Sequence, residues 1–238
     1  MNVAIIYDSD AYEGMSPILR AAELYENHDA VDGIVIVCPA GQTFPDDVQG
    51  MSSPDDVQEA LSTNDVQEML SSDDAQEPVS ADSMQEVLHK NGMQKILRVV
   101  PGGETPQVSI FAGLEAAREI AAENEVYTTS MIVLLHDAAK PLVGSDLITA
   151  CLENTRDLGS AVVASPLADT IIQTDIFGLA IGSIDRDQCM VAQTPQCFHL
   201  QEIWDVCTQA KEEDRRGFAD AAAIMLSCRH DISIVSAV

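Results

Sequence analysis

The sequence predicts an α/β protein with a mostly parallel sheet and helices on both faces. Short, continuous apolar runs such as GIVIVCP (residues 33–39) and MIVLLHD (residues 131–137) alternate with longer segments of helical character. These runs are rich in branched apolar residues, which is typical of strands buried on both faces. An alternating order of strands and helices favours a parallel sheet, because each helix returns the chain to the same edge.

The expected elements follow from local signals along the chain. A Pro ends several apolar runs, as in ILRVVP before a Gly-Gly pair, and marks the end of a buried strand. Residues 171–184 alternate in polarity and contain Gly178 and Gly182, which predicts a protruding extended arm or hairpin. In chain order we expect strands at 3–6, 33–39, 96–101, 131–137, 160–166 and 232–235, and helices at 16–27, 108–122, 145–157, within 202–210 and at 219–228.

The composition predicts one globular domain over residues 1–238 and excludes several classes of function. Of the 238 residues 46% are apolar, which is enough to bury a core. The 39 acidic and 12 basic residues give a net charge of −27, and such a surface repels nucleic acids and anionic lipids. We therefore expect no nucleic-acid partner and no membrane partner.

The chain shows no targeting signal, and its cysteines indicate a reducing compartment. The N-terminal apolar run is only four residues long, at 3–6, and no other stretch approaches the length of a membrane span. The six cysteines form no CxxC pair, which favours free thiols. A cytoplasmic location is expected.

A nine-residue repeat occupies residues 46–86, where units such as DDVQE recur five times. Residues 45–88 contain twelve acidic residues and no Lys or Arg. A calcium-binding β-roll would need glycines in every unit, and these units are nearly free of glycine. Nine residues make two and a half helical turns, so no continuous apolar stripe forms. We expect a mobile acidic insert with transient helix in a surface loop.

Three strand ends bear chemically interesting residues, because ligands of such sheets bind beyond the carboxyl ends of strands. The Gly102-Gly103 turn could let a ligand approach the backbone, or could serve the turn geometry alone. Asp137 could bind Mg²⁺, or could cap a following helix, and His136 is more typical of a structural imidazole. Arg186 could bind a phosphate, or could pair with a neighbouring Asp at the surface.

Several segments together resemble the 2-C-methyl-D-erythritol 4-phosphate cytidylyltransferase family and, more loosely, its ribitol-5-phosphate cytidylyltransferase relatives. The matches lie within residues 16–45 and 87–238 and follow the family's order. The matching strings are DAVDGIVIVCP, VVPGGETPQVSIFAGLEAA, IVLLHDAAKPLV, SAVVASPLADTI, DRDQCMVAQTPQCF and FADAAAIM. The resemblance implies a Rossmann-like, three-layer nucleotide-diphospho-sugar transferase fold.

The resemblance also implies a reaction and a nucleotide site. A family member transfers CMP from CTP to a sugar-alcohol phosphate and releases pyrophosphate, as part of isoprenoid precursor synthesis by the non-mevalonate route. The implied cytosine-binding residues are Gly102, Gly103 and Ser109, and Asp137 is implied to bind Mg²⁺ at the triphosphate. The family string HDAAR is HDAAK here, so Lys140 stands where the family has an arginine, and Asp137 and Lys140 are both implied to be catalytic.

The acceptor site and the oligomeric state follow from the same resemblance. Thr170 and Arg186 are implied to bind the acceptor phosphate, with Arg186 among the catalytic residues. The arm at 171–184 is implied to join two copies of the chain into a homodimer. The PLADTI string favours methylerythritol phosphate as the acceptor over ribitol phosphate.

The chain departs from the family pattern at positions where the family has cations. Asp8, Asp10 and Glu13 lie in the stretch where the family has a glycine-rich basic loop, and Pro106 replaces an arginine. The chain ends at Val238, before a strand that bears a further lysine in the family. These departures suggest a second hypothesis, a non-catalytic family member acting as a dimeric binding or regulatory protein. A misassigned start or stop is a third interpretation.

Overall fold

The computed structural model describes residues 1–8, 16–38, 85, 88–90 and 92–237. The predicted acidic insert at 46–86 therefore lies outside the described residues except for Gln85, and its predicted mobility stays a prediction. Across the described ranges, no helix has the length and apolar character that a membrane crossing requires.

The described residues form nine strands and five α-helices, close to the predicted order. Two of the predicted strands, at 96–101 and 160–166, have the same bounds in the structure as in the prediction. The strands are β1 (Asn2–Tyr7), β2 (Gly33–Cys38), β3 (Ile96–Pro101), β4 (Ile132–Asp137), β5 (Ser160–Pro166), β6 (Ile171–Thr174), β7 (Ala180–Ile184), β8 (Met190–His199) and β9 (Ile234–Ser236). The helices are α1 (Ser16–Glu26), α2 (Pro106–Glu123), α3 (Ser145–Leu158), α4 (Leu200–Glu212) and α5 (Ala221–Ser227).

Seven of the strands form one sheet in the order β3-β2-β1-β4-β8-β5-β9. Strands β1, β2, β3 and β4 are parallel to one another, and β8 runs antiparallel to both of its neighbours. The predicted mostly parallel sheet is confirmed, but β8 was not predicted. Its ten residues include Pro195 and two glutamines, so the segment lacks the continuous apolar run that marks the other central strands.

Helices cover the sheet on both faces, which confirms the three-layer architecture. Helices α1 and α3 pack on one face around Tyr25 and Leu152, and helices α2, α4 and α5 pack on the other around Leu114 and Ile203. Because side chains alternate along a buried strand, successive residues of β1 and β4 enter the two cores in turn. This alternation decides which strand-end side chains can share one site.

Strands β6 and β7 form a separate antiparallel hairpin, at the place where an arm was predicted. The side chains of both strands are exposed. The turn between the strands is held by the Asp175 carboxylate, whose Oδ1 accepts hydrogen bonds from the N–H groups of Phe177 and Leu179, each at 2.9 Å. Gly178 has a φ of +80°, a conformation that glycine adopts without steric cost.

Candidate active site

A cavity of about 150 Å³ opens at the carboxyl ends of β1 and β4. Tyr7 and Asp137 line it from these strands, and Thr194 lines it from the antiparallel strand β8. Its polar lining also includes Lys140, Gln193, Gln196 and Asp220. The cavity therefore lies where parallel sheets bind ligands, and it collects residues from five separate parts of the chain.

Tyr7 and Asp137 lie side by side because β1 and β4 are parallel and in register. Their Cα atoms are direct partners across the ladder, and the Tyr7 carbonyl oxygen accepts a hydrogen bond from the Ala138 N–H at 2.7 Å. Both residues are buried, and the phenol has no hydrogen-bond partner among the described residues. Burial, together with the nearby Asp137 and Asp220 carboxylates, raises the pKa of Tyr7 well above its usual value, so the hydroxyl keeps its proton.

Asp137 ends β4 in a tight turn that places Lys140 at the rim of the cavity. The Asp137 Oδ1 atom accepts a hydrogen bond from the Ala139 N–H at 3.1 Å, and the Asp137 carbonyl accepts one from the Lys140 N–H at 3.0 Å. The next helix, α3, begins only at Ser145 and has Gly144 as its N-cap. Asp137 is therefore not the cap of α3, although its carboxylate stabilises the turn after β4.

Asp220 reaches the cavity from the segment that precedes α5. Its Oδ1 atom caps this helix by accepting a hydrogen bond from the Ala223 N–H at 2.8 Å. The start of α5 is also tied to β8, because Gln196 Oε1 accepts a hydrogen bond from the Ala222 N–H at 2.8 Å. The same side chain donates through Nε2 to the Gln193 carbonyl at 3.3 Å. Gln196 thus holds Asp220 beside the central strands.

Asp137 and Asp220 both line the cavity, and carboxylates are the side chains that could bind a magnesium ion shared with a ligand phosphate. Protein sites for Mg²⁺ in phosphate chemistry commonly use one or two carboxylates, with substrate phosphates and water as the other ligands. Within the described part of the chain, no cluster of three or more His, Cys, Asp or Glu side chains could hold a metal. The donor set therefore suits a metal–phosphate complex rather than an all-protein cage.

The glycine turn lies next to this cavity, between β3 and α2. The Gly102 N–H donates to the Cys38 carbonyl at 2.6 Å, and the Gly103 N–H donates to Ser109 Oγ at 3.2 Å. A Cβ atom on Gly102 would lie 2.7 Å from the Cys38 carbonyl oxygen and 2.8 Å from Ser109 Oγ. The structure thus brings together the three residues predicted to bind cytosine, and close packing alone already requires glycine at position 102.

Thr170 and Arg186 lie at the base of the arm and do not line the cavity. Arg186 Nη1 donates to the Ala168 carbonyl at 3.2 Å, which brings the guanidinium to the segment that contains Thr170. Arg186 Nε also lies 3.9 Å from Asp187 Oδ1, so the surface ion pair considered for this residue is present. Both side chains of that pair are exposed, and exposed pairs of this kind are weak enough to exchange for a ligand phosphate.

His136 points to the opposite face of the sheet from Asp137. Its Nδ1 atom lies 3.0 Å from the Tyr25 hydroxyl, and burial lowers the pKa of His136 to about 4. The imidazole is therefore neutral near pH 7 and packs edge-on against the Tyr25 ring. This arrangement is that of a structural imidazole, as the sequence suggested.

A comparison with models of protein families shows which family the chain belongs to. The family model described as "IspD: 2-C-methyl-D-erythritol 4-phosphate cytidylyltransferase" matches residues 55–237. The chain belongs to this cytidylyltransferase family. The resemblance seen in the sequence is thereby confirmed.

Curated relatives of the cytidylyltransferase family match part of the chain. The "Bifunctional enzyme IspD/IspF" of Nitrobacter winogradskyi is 42% identical over 123 residues, which are 52% of this chain and 29% of that protein. The "Ribitol-5-phosphate cytidylyltransferase" of Streptococcus agalactiae serotype V is 32% identical over 137 residues, which are 58% of this chain and 55% of that protein. The chain thus covers between about a third and about a half of the length of these relatives.

Solved structures confirm the predicted fold class. The 4-diphosphocytidyl-2C-methyl-D-erythritol synthase of Anaerococcus prevotii has a TM-score of 0.65 at 18% identity, over 99% of this chain and 86% of that one. The 2-C-methyl-D-erythritol 4-phosphate cytidylyltransferase of Thermus thermophilus has a TM-score of 0.61 at 18% identity, over 99% of this chain and 88% of that one. At this identity the similarity shows the fold alone.

Placed on this cytidylyltransferase fold, the predicted site residues form three groups: the glycine turn, the cavity and the base of the arm. Of the positions where the chain departs from the family pattern, Asp8 is buried directly after β1 and Pro106 lines the cavity. Asp10 and Glu13 lie outside the described residues.

Sequence reasoning missed four residues that the structure places in or beside the cavity. Tyr7 directly follows the strand that was predicted at 3–6, and Thr194 and Gln196 lie in the strand that was not predicted. Asp220 had a usable local signal, because an Asp directly before an alanine-rich helix is typical of an N-cap.

Proposed function

We propose that the chain is a cytidylyltransferase that transfers CMP from CTP to 2-C-methyl-D-erythritol 4-phosphate and releases pyrophosphate. The observation that carries the proposal is the cavity at the carboxyl ends of β1 and β4. It combines the carboxylates of Asp137 and Asp220 with the Lys140 side chain, and its lining includes Pro106, which follows the glycine turn in the chain. This is a set of groups that can hold a metal-bound triphosphate next to a nucleoside base.

The chemistry of this transfer needs no protein nucleophile. A phosphate oxygen of the acceptor forms a bond to the α-phosphorus of CTP, and the bond from that phosphorus to the bridging oxygen breaks, so pyrophosphate leaves. The barrier falls when the reactants are aligned and the developing negative charge is neutralised. Bound Mg²⁺, held by Asp137 and Asp220, would supply much of that neutralisation.

The chain's own side chains would neutralise the rest of the developing negative charge and would align the two reactants. Lys140, exposed at the cavity rim, would pair with phosphate oxygens as they gain charge. In the glycine turn, backbone groups and the Ser109 hydroxyl would hold the cytosine. Thr170 and Arg186 would hold the acceptor phosphate in line with the α-phosphorus.

We also propose that the arm joins two copies of the chain. Six large apolar side chains of the hairpin are more than 40% exposed, including Phe177 at 82% and Ile176 at 93%. Monomeric proteins rarely expose so continuous an apolar surface, and such surfaces mark interfaces between proteins. A homodimer that buries this hairpin is the simplest arrangement consistent with its exposure.

Ribitol 5-phosphate is the second candidate acceptor, because a relative with that printed name is 32% identical to this chain. The deciding experiment measures pyrophosphate release from CTP and Mg²⁺ with each polyol phosphate in turn. We expect faster release with 2-C-methyl-D-erythritol 4-phosphate, and a loss of at least about 100-fold in Asp137→Asn.

The same assay separates activity from binding. Faster release with ribitol 5-phosphate would replace the proposed acceptor. No release with either acceptor at high protein concentration would contradict catalysis. In that case isothermal titration with CTP and Mg²⁺ would show whether the chain is a non-catalytic family member that still binds nucleotide.

A further inference from the structure

Two residues that line the candidate active-site cavity have buried hydroxyl groups without hydrogen-bond partners among the described residues. The Tyr7 phenol and the Thr194 Oγ1 atom are both buried, and neither makes a hydrogen bond within the described part of the chain. Both residues line the cavity. A buried hydroxyl without a partner lowers the stability of the folded protein, so two of them in one cavity indicate a ligand that completes their hydrogen bonds.

The Tyr7 hydroxyl is not needed for packing. The Tyr7 ring belongs to the core on the α2 side of the sheet, where it packs with residues such as Ile5 and Leu135. A phenylalanine ring would fill the same space and would avoid the unpartnered polar atom. The hydroxyl therefore adds a hydrogen-bond donor to the cavity and contributes nothing to the core that phenylalanine would lack.

Besides the Gln193 and Gln196 amides, the cavity contains two kinds of polar group that restrict the ligand. Tyr7 and Thr194 supply hydroxyl donors, and Lys140 supplies an ammonium donor. Asp137 and Asp220 supply carboxylates, which attract a cation. A phosphate group bound to a divalent cation satisfies both kinds at once, because the cation binds the carboxylates and the phosphate oxygens accept the hydrogen bonds.

We infer that Tyr7 is a nucleotide-binding residue whose phenolic hydroxyl donates a hydrogen bond to a phosphate oxygen of magnesium-bound CTP. The inference rests on the proposed function and adds a residue to the phosphate site. Tyr7 is suited to this role because its direct register partner is Asp137, the predicted metal ligand. The donor is neutral, so it can lie against two carboxylates without losing its proton.

The test is the variant Tyr7→Phe, studied by isothermal titration and thermal unfolding. Titration with CTP and Mg²⁺ is expected to give a Kd about 10- to 100-fold weaker than that of the wild type, the range for a hydrogen bond to a charged group. For cytidine, which has no phosphate, the Kd of the variant is expected to differ from that of the wild type by less than about twofold. The Tm of the free variant is expected to equal or exceed that of the wild type, because only an unpartnered hydroxyl is removed.

Tyr25→Phe is the matched control. Tyr25 is equally buried and lies on the other side of the sheet, where its hydroxyl is paired with His136 Nδ1 at 3.0 Å. We expect this variant to have a lower Tm and an unchanged Kd for CTP. The pair of variants thus separates loss of a ligand contact from loss of a structural hydrogen bond.

The outcomes distinguish the inference from the proposed function. A wild-type protein that binds CTP, together with a Tyr7→Phe variant of equal affinity, would overturn the inference and leave the proposed function standing. Weaker binding of the polyol phosphate alone would also overturn it, because the hydroxyl would then contact the acceptor. A wild-type protein that does not bind CTP would overturn the proposed function and the inference together.

Discussion

Replacing Gln196 with leucine tests how the structure positions Asp220. The side-chain amide is buried and forms two hydrogen bonds, accepting from the Ala222 N–H at 2.8 Å and donating to the Gln193 carbonyl at 3.3 Å. Leucine has a similar size and can make neither bond. The substitution therefore leaves a buried N–H group at the start of α5 and a carbonyl in β8 without their partners.

The expected magnitude follows from these two bonds. A buried donor or acceptor that loses its partner costs about 1–3 kcal/mol, and the longer bond to Gln193 belongs at the low end of that range. We therefore expect the free energy of unfolding to fall by about 2–4 kcal/mol. For a domain of this size 1 kcal/mol lowers the Tm by about 2–4 °C, so the decrease should be about 4–16 °C.

Thermal unfolding of Gln196→Leu should be compared with that of Gln209→Leu. The Gln209 side chain is exposed and bonds only to Glu213, at 2.9 Å between Nε2 and Oε1. Surface changes of this kind alter stability by less than about 0.5 kcal/mol, so its Tm should stay within about 2 °C of the wild-type value. Titration with CTP and Mg²⁺ should also show weaker binding in Gln196→Leu alone, because the start of α5 places Asp220.

A Tm for Gln196→Leu within about 2 °C of the wild-type value would refute this reasoning, since α5 would then be held in place by packing alone. A lower Tm for Gln196→Leu with unchanged CTP binding would show that Gln196 stabilises the fold but does not position Asp220.

Three further predictions follow from other parts of the structure. Gly102→Ala places a Cβ atom 2.7 Å from the Cys38 carbonyl oxygen, so stability should fall by about 1–3 kcal/mol and CTP binding should weaken. Gly144→Ala, whose Cβ atom meets nothing within 4 Å, is the control, and equal melting temperatures for the two would contradict the packing argument. The pKa of His136 is lowered to about 4 in the folded state, against about 6.5 when unfolded, so the stability present above pH 6.5 is lost as the pH falls toward 4. Urea unfolding should show a loss of about 2 kcal/mol between pH 7 and pH 5 that is reduced in His136→Gln, and an equal loss in the variant would exclude this histidine as its source. Finally, Ile181→Asp on the arm should convert the proposed dimer to monomers in light scattering, whereas Gln173→Asp on the same hairpin should not, and a monomeric wild type would refute the dimer.

Much of the fold was predictable because its strands are buried on both faces. Such strands are continuous apolar runs, and a following Pro, Gly or Asp marks their ends, as at 96–101 and 160–166. Strand β8 was not predictable in this way, since Pro195 and its glutamines interrupt the pattern. Its place between β4 and β5 comes from pairing with residues that are distant in sequence.

The site was predictable only in part. Gly102, Gly103, Ser109 and Asp137 belong to local strings, and the structure places the first three in one hydrogen-bonded turn. Tyr7 directly follows the strand predicted at 3–6, and nothing in the local sequence indicated that it lines a cavity. That assignment needed the register between β1 and β4.

The sequence by itself determined the kinds and order of the elements other than β8, the family, and the local residues that form the turn after β3. The tertiary structure decided which side chains meet. His136 and Asp137 are adjacent in the chain, yet they enter opposite faces of the sheet because side chains alternate along a strand. Tyr7, Asp137, Thr194 and Asp220 are far apart in the chain, yet they line one cavity. The parallel strands β1 and β4 end at a common edge, the antiparallel strand β8 lies beside β4, and the start of α5 is hydrogen-bonded to β8.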